Sequence, residues 1–208
     1  RGYLTSNPTS GLNTSTKLGP KNRDVIPNDV LIEIKSYLDK ENKHYLLACY
    51  MIHYLFVRPG EMCFLKIKDL SEDKRTLTLS GSHTKNGHDA VITIPNHVID
   101  LMRELEIFSA PPGYYIFSND FRPGQERIKA IAFTRFWTSN VKKALNLSDV
   151  YKLYSLKDTG ITNMIKAKTD LLSVRDQARH SSVKVTNIYT PQECIEANAA
   201  LVGYEGVF

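Results

Sequence analysis

No stretch of this 208-residue chain is apolar for long enough to cross a bilayer. The longest, 45-YLLACYMIHYLFV-57, runs thirteen residues and contains His53, where a spanning helix needs roughly 20; it reads as a buried core helix. Cysteine is scarce: Cys49, Cys63 and Cys194 are widely spaced and odd in number. No zinc-type spacing is present, and the first two fit core thiols in a reducing cytoplasm. Neither G-x-x-x-x-G-K-[ST] nor G-x-S-x-G occurs, so a nucleotide phosphate loop and the common serine hydrolases have no support. There is no charged-then-apolar leader, no internal repeat and no low-complexity tract. The chain opens on Arg1 rather than Met, from which a fragment of a longer protein, lacking an N-terminal part, is expected.

What is present is an ordinary globular composition, 42% hydrophobic and 24% charged, with a net charge of +5. That excess is modest, but its distribution is not. Between Phe121 and Lys157 eight cations (Arg122, Arg127, Lys129, Arg135, Lys142, Lys143, Lys152, Lys157) face two acids, Glu126 and Asp149. Phe136, Trp137, Tyr151 and Tyr154 are interleaved with them. A phosphate-tracking surface has this composition, and so does a solvated helix face.

Residues 1–23 are rich in Ser, Thr, Asn, Gly and Pro without periodicity and read as a linker or the end of a preceding domain. Helical spacing begins at 28-NDVLIEIKSYLDKENK-43, with Asn28 as a plausible cap. The apolar run forms a second helix ending near Arg58, because Pro59 disfavours helix in the residue before it and can open the next helix, 60–67. Two alternating runs around Asn86-Gly87 predict a hairpin over 76–95 with Lys85 at its tip. A helix over 97–107, a strand-like 114-YYIFS-118 and a basic helix over 125–146 follow. The last third reads as helices over 155–168, 170–178, 182–190 and 192–201. The expected class is mostly α with one small antiparallel β-sheet (α+β), in a single domain.

His180 and Tyr189 stand nine residues apart. On a straight helix they would lie on opposite faces about 13 Å apart along the axis. They can share a site only if a helix stops at His180 and another starts, and Ser181 or Ser182 suits that restart.

In order and spacing, 180-HSSVKVTNIYT-190 resembles the C-terminal box of the tyrosine recombinase (phage integrase) family, approximately L-G-H-S-S-x-x-x-T-x-x-Y-T. Upstream, 57-VRPGEMCFLKIKDL-70 is similar to that family's first-arginine box, with Arg58, Glu61, Leu65 and Asp69 in place. The hairpin with Lys85 is similar to the one that carries the family's catalytic lysine. One box departs: where the family has H-x-x-R, this chain has 154-YSLK-157. Lysine keeps the charge but loses the two-pronged grip of arginine on a phosphate. Arg179, where the family has glycine, is a candidate helper.

The resemblance implies a catalytic domain over 24–190, a linker or the end of a core-binding domain over 1–23, and a helical tail over 191–208 that docks at home or on a neighbouring protomer. It implies a site-specific DNA recombinase or integrase of a mobile element. Tyr189 would attack phosphorus and remain linked to the 3′ phosphate; Arg58, Lys157, His180 and Tyr154 would surround the phosphate, and Lys85 would protonate the leaving 5′ oxygen. Only about one phenol in a thousand is ionised at neutral pH and the phosphodiester repels anions, so cations are required. Arg179, Arg122, Arg127, Arg135, Lys142, Lys143 and Lys152 would contact DNA. The implied partners are a specific double-stranded DNA site, a homo-tetramer on it and accessory DNA-bending factors, with no membrane, no cofactor and no metal, in the cytoplasm with the nucleoid. Two alternatives stay open at this level: a DNA-binding relative with lost or reduced chemistry, and a type IB topoisomerase-like relaxing enzyme. Taken singly, His53 belongs to the core and Glu61 pairs with a basic residue.

Overall fold

The computed structural model describes residues 24–84, 87–187 and 189. Helix α1 (Asn28–Glu41) opens behind Pro27, whose carbonyl accepts the Leu31 N–H at 3.0 Å. Pro27 therefore occupies the boundary position expected of Asn28, which is already helical. The inner stripe of α1 buries Ile34 and Leu38. Asn42 then turns extended, and its side chain accepts the Tyr45 N–H at 2.8 Å, ending one helix and capping the next, α2 (Lys43–His53). α2 is buried on nearly every side, as an apolar run without a polar face must be. It packs against α1, α4 (Asn96–Glu104) and α6 (Ser155–Lys166).

Helix α2 stops at His53, earlier than Pro59 alone would require. Phe56 takes a left-handed conformation (φ 56°), and the Val57 N–H reaches back to Met51 O at 3.2 Å. α3 (Pro59–Met62) is a single turn, because the chain beyond it is drawn into extended contacts: Lys66 bridges Tyr115, and Ile116 N–H bonds to Leu65 O at 2.9 Å. The same contacts leave 114–118 as isolated bridges instead of a strand.

Strands β1 (Leu70–Ser71), β2 (Thr76–Leu79) and β3 (Ala90–Thr93) form an antiparallel sheet in that order. Leu77 pairs with Ile92 on the buried face, while Thr78 and Val91 oppose each other on the outer one. Pairing ends at Leu79 and Ala90; just beyond it the Asp89 carboxylate accepts the Gly81 N–H at 2.6 Å. Lys85 and Asn86 lie outside the described residues.

The basic helix begins at α5 (Ala130–Phe136), not at 125, since Gly124 is held extended against Tyr115. It continues as a π-helical run over Trp137–Lys142, with buried Trp137 donating from Nε1 to Tyr151 O at 3.0 Å. α6, α7 (Leu171–Ala178) and α8 (Val183–Asn187) complete the described chain; the expected tail helix over 192–201 lies outside it. The class is the one expected, mostly helical with a small antiparallel sheet. Among the described residues no helix is long and apolar enough to cross a membrane.

Candidate active site

The site is built around one unusual carbonyl. The left-handed turn at Phe56, rare for a bulky side chain, points its oxygen toward two cations: Lys157 Nζ donates to it at 2.8 Å and Arg179 Nη2 at 3.1 Å. Two residues on, Arg58 is extended (φ −81°, ψ 147°), as the residue before a proline is constrained to be. Its Nη1 donates to Glu61 Oε1 at 2.7 Å and its backbone N–H to Oε2 at 2.8 Å. Arg179 Nη2 donates to the same Oε2 at 2.8 Å. Glu61 is 4% exposed, so a single buried carboxylate braces both guanidinium groups. Burial pushes the Glu61 pKa up, but the Arg179 charge and the three donors outweigh it and hold the group below the usual carboxylate range.

Arg179 occupies the C-cap of α7 with φ 55°, which turns the chain away from the helix axis. Its Nε and Nη1 are buried and find no hydrogen-bond partner among the described residues, an arrangement that ordinarily destabilises a fold by about 1–3 kcal/mol or more for a charged group. α7 is held in place through Gln177, whose side chain bonds both backbone groups of Thr93 at the edge of β3, at 3.1 and 2.7 Å. Lys157 is 3% exposed. Burial above all, and then the Arg58 and Arg179 charges, draw its pKa down to about 7, with Glu61 and Asp158 opposing. Tyr154 precedes α6, close enough to Arg58 to favour its charge. Burial lowers the Arg58 pKa, yet Glu61 and Tyr154 more than offset it.

The break foreseen before Tyr189 is present: α7 ends at Ala178, residues 179–182 turn, and α8 starts at Val183. His180 Nδ1 is 2.9 Å from Thr186 Oγ1, and the rings of His180 and Tyr189 are nearly parallel, 14° apart in plane with centroids 6.2 Å apart. The Tyr189 ring packs on Phe56, Ile161, Val174 and Ala178. Its hydroxyl donates to Asp158 Oδ1 at 2.8 Å. Arg58, Tyr154, Lys157, Arg179, His180 and Tyr189 are thus drawn into one connected region. Lys85 falls outside the described residues, but the chain leading to it, at Ser80, His83 and Thr84, shares a small cavity with Glu61.

The DNA-contact candidates are less uniform. Arg122, Arg127, Lys129, Arg135, Lys143 and Lys152 are exposed. Arg127 lies over the Phe64 ring at 4.4 Å, opposite a His83 ring stacked on it at 4.0 Å. Arg122 pairs with Asp120 at 3.5 Å, and Lys142 is mostly buried and paired with Asp149 at 2.6 Å. His53 is buried with Nδ1 on Leu156 O at 3.0 Å, and its pKa falls to about 4 through burial. Asp158 and the Phe56 carbonyl were not anticipated from sequence. Asp158 is the one acid in 154-YSLKDT-159; nothing in the local sequence marks Phe56. Among the described residues no group of three His, Cys, Asp or Glu side chains converges as a metal site would.

Comparison with known proteins gives the arrangement a context. The model of the phage integrase family matches residues 25–194. Tyrosine recombinase XerA of Pyrococcus furiosus is 24% identical over 161 residues, 77% of this chain and 53% of that protein. A tyrosine recombinase of Thermosipho africanus is 22% identical over 167 residues, 80% of this chain and 56% of that one. The chain therefore spans about half the length of these curated relatives. The structure of the Tn1549 transposon integrase in complex with a circular intermediate DNA shares the fold, with a TM-score of 0.69 at 15% identity, over 92% of this chain and 67% of that one.

Proposed function

Because the chain belongs to the phage integrase family, we propose that residues 24–190 form the catalytic domain of a site-specific DNA recombinase, serving the integration or excision of a mobile element. The observation that carries this reading is the pair of guanidinium groups, Arg58 and Arg179, braced on the one buried carboxylate of Glu61, with Tyr189 tethered to the helix that also carries Lys157. Preorganised cations of this kind stabilise the charge that grows on a pentacoordinate phosphorus without reorganising when it forms.

In the proposed reaction Tyr189 attacks the scissile phosphorus and becomes linked to the 3′ phosphate, while Lys85 protonates the departing 5′ oxygen. Arg58 and Arg179 grip the non-bridging oxygens. Arg179 takes the arginine role that Lys157 cannot fill, since Lys157 is turned into the protein onto the Phe56 carbonyl. His180 and Tyr154 add hydrogen bonds at the rim. The link conserves the energy of the broken ester, so a 5′ hydroxyl from another duplex can reverse the attack and no ATP is consumed. The exposed Arg127, Arg135, Lys143 and Lys152 track the duplex backbone, with Arg122, Lys129 and Lys142 at the edge of that surface. A homo-tetramer on double-stranded DNA, aided by bending factors and associated with the nucleoid, completes the proposal, with residues 1–23 as a linker or the end of a core-binding domain and 191–208 as a tail that docks at home or on a neighbouring protomer.

The test is capture of a detergent-stable protein–DNA adduct on nicked duplexes with a randomised core, followed by sequencing of the trapped DNA. Wild-type protein forms the adduct and Tyr189→Phe does not. Adduct formation by Tyr189→Phe would overturn the nucleophile, salt-dependent binding without any adduct would point to a non-catalytic relative, and relaxation of supercoiled plasmid without recombinants would point to a topoisomerase.

A further inference from the structure

The hydroxyl that must lose a proton for strand cleavage already donates it, at 2.8 Å, to a carboxylate. We propose that Asp158 is the catalytic base of the cleavage step, accepting the Tyr189 proton as the phosphorus is attacked and returning it on religation; this rests on the assignment of Tyr189 as the nucleophile. Asp158 is 5% exposed and sits in the first turn of α6, next to Lys157. In the bond between them the phenol hydroxyl of Tyr189 is the donor and the carboxylate oxygen of Asp158 the acceptor, which is the direction proton transfer would take. Among the described residues, two other basic groups have different partners in the structure: Lys157 Nζ donates to the Phe56 carbonyl, and His180 Nδ1 lies against Thr186 Oγ1 with its ring centroid 6.2 Å from that of Tyr189.

The charge movement supports the role. Forming a free phenolate beside a phosphodiester would place two anions together before any bond exists between them. Transfer to Asp158 instead neutralises the carboxylate as the phosphorane gains its charge, so the anionic load facing Arg58, Arg179 and Lys157 stays constant. In the step the Tyr189 O–H bond breaks and an O–H bond forms on Asp158 Oδ1. The Tyr189 oxygen bonds to phosphorus, and the P–O5′ bond breaks with its electron pair on the 5′ oxygen, which takes a proton from the acid assigned to Lys85. Religation reverses each change: the 5′ hydroxyl attacks, the tyrosyl–phosphorus bond breaks, and Asp158 hands the proton back.

The experiment is single-turnover adduct formation on the nicked duplex by the full chain, comparing wild type with Asp158→Asn, which keeps the hydrogen-bond acceptor and the volume but not the basicity. The expected result is a loss of roughly 10²–10⁴-fold in rate, with DNA affinity retained. Placing difluorotyrosine, a more acidic phenol, at position 189 of the Asp158→Asn protein restores most of that loss. An Asp158→Asn protein that cleaves at the wild-type rate or faster overturns the proposal, as does a defect that the acidic phenol leaves untouched. If Asp158→Asn melts below the assay temperature, Asp158→Ser carries the same expectation and the same refutation. Wild-type protein without an adduct, or an adduct formed by Tyr189→Phe, would instead remove the nucleophile assignment, so the two failures are distinguishable.

Discussion

Replacing Lys157 with methionine removes a buried cation while keeping an unbranched apolar stem of similar length. Lys157 is 3% exposed and its pKa falls from the ordinary 10.5 to about 7, chiefly through burial and then through the Arg58 and Arg179 charges, with Glu61 and Asp158 opposing. The folded-state value lies below the unfolded one, so between the two the unfolded chain binds more protons, and stability rises with pH. The contribution is fully present above 10.5 and is lost as pH falls through about 7. At about 1.4 kcal/mol for each tenfold change in proton affinity, holding the ammonium in this pocket costs on the order of 4–5 kcal/mol at low pH. The hydrogen bond to the Phe56 carbonyl returns only about 1 kcal/mol. Lys157→Met should therefore be more stable than wild type by roughly 3 kcal/mol at pH 6, the direction seen when buried charges are replaced by apolar groups. From pH 6 to pH 9 wild type regains roughly 2–3 kcal/mol of that difference, which for a domain of this size is about 5–10 °C in Tm. Paired thermal melts across that range read it directly, because groups common to both proteins cancel. A difference between the two Tm values that stays constant from pH 6 to pH 9 would refute the buried-ammonium account.

Two further outcomes follow from the packing and the site. Gly160→Ala should abolish folding or cost at least about 3 kcal/mol, because a Cβ there would lie 1.8 Å from the His53 carbonyl oxygen, backbone against backbone between α6 and α2; a urea melt within 1 kcal/mol of wild type, taking about that as its resolution, would contradict the close approach. Arg179→Lys should slow adduct formation by roughly 10²–10³-fold while leaving the Tm equal or higher, since two buried nitrogens without partners disappear; a rate within about threefold of wild type, under 1 kcal/mol of barrier, would show that Arg179 does not touch the phosphate.

Much of the local structure was legible because it depends on near neighbours. Helical periodicity located α1, α2 and α4, Pro59 placed Arg58 in extended backbone at a helix start, and the Ser-Ser pair after His180 coincides with the turn between α7 and α8. The misses share one cause. The end of α2 and the short α3 coincide with partners distant in sequence: Gly160 against His53, and Tyr115 against Lys66. Local propensity cannot weigh contacts it does not see.

The sequence by itself determined the class of the fold, the family and the identity of the candidate nucleophile, since ordered motifs and hydrophobic period are carried by short spans of chain. Only the tertiary structure decided how the cations are distributed. Phe56 and Lys157, Phe56 and Arg179, and Glu61 and Arg179 meet across 101, 123 and 118 residues of chain. Lys157 and Arg179 are both basic side chains, and from the sequence either could be read as the missing arginine. Burial separates them: Lys157 Nζ is turned onto one backbone carbonyl, whereas the planar guanidinium of Arg179 reaches both that carbonyl and Glu61 and still holds N–H groups without a partner among the described residues.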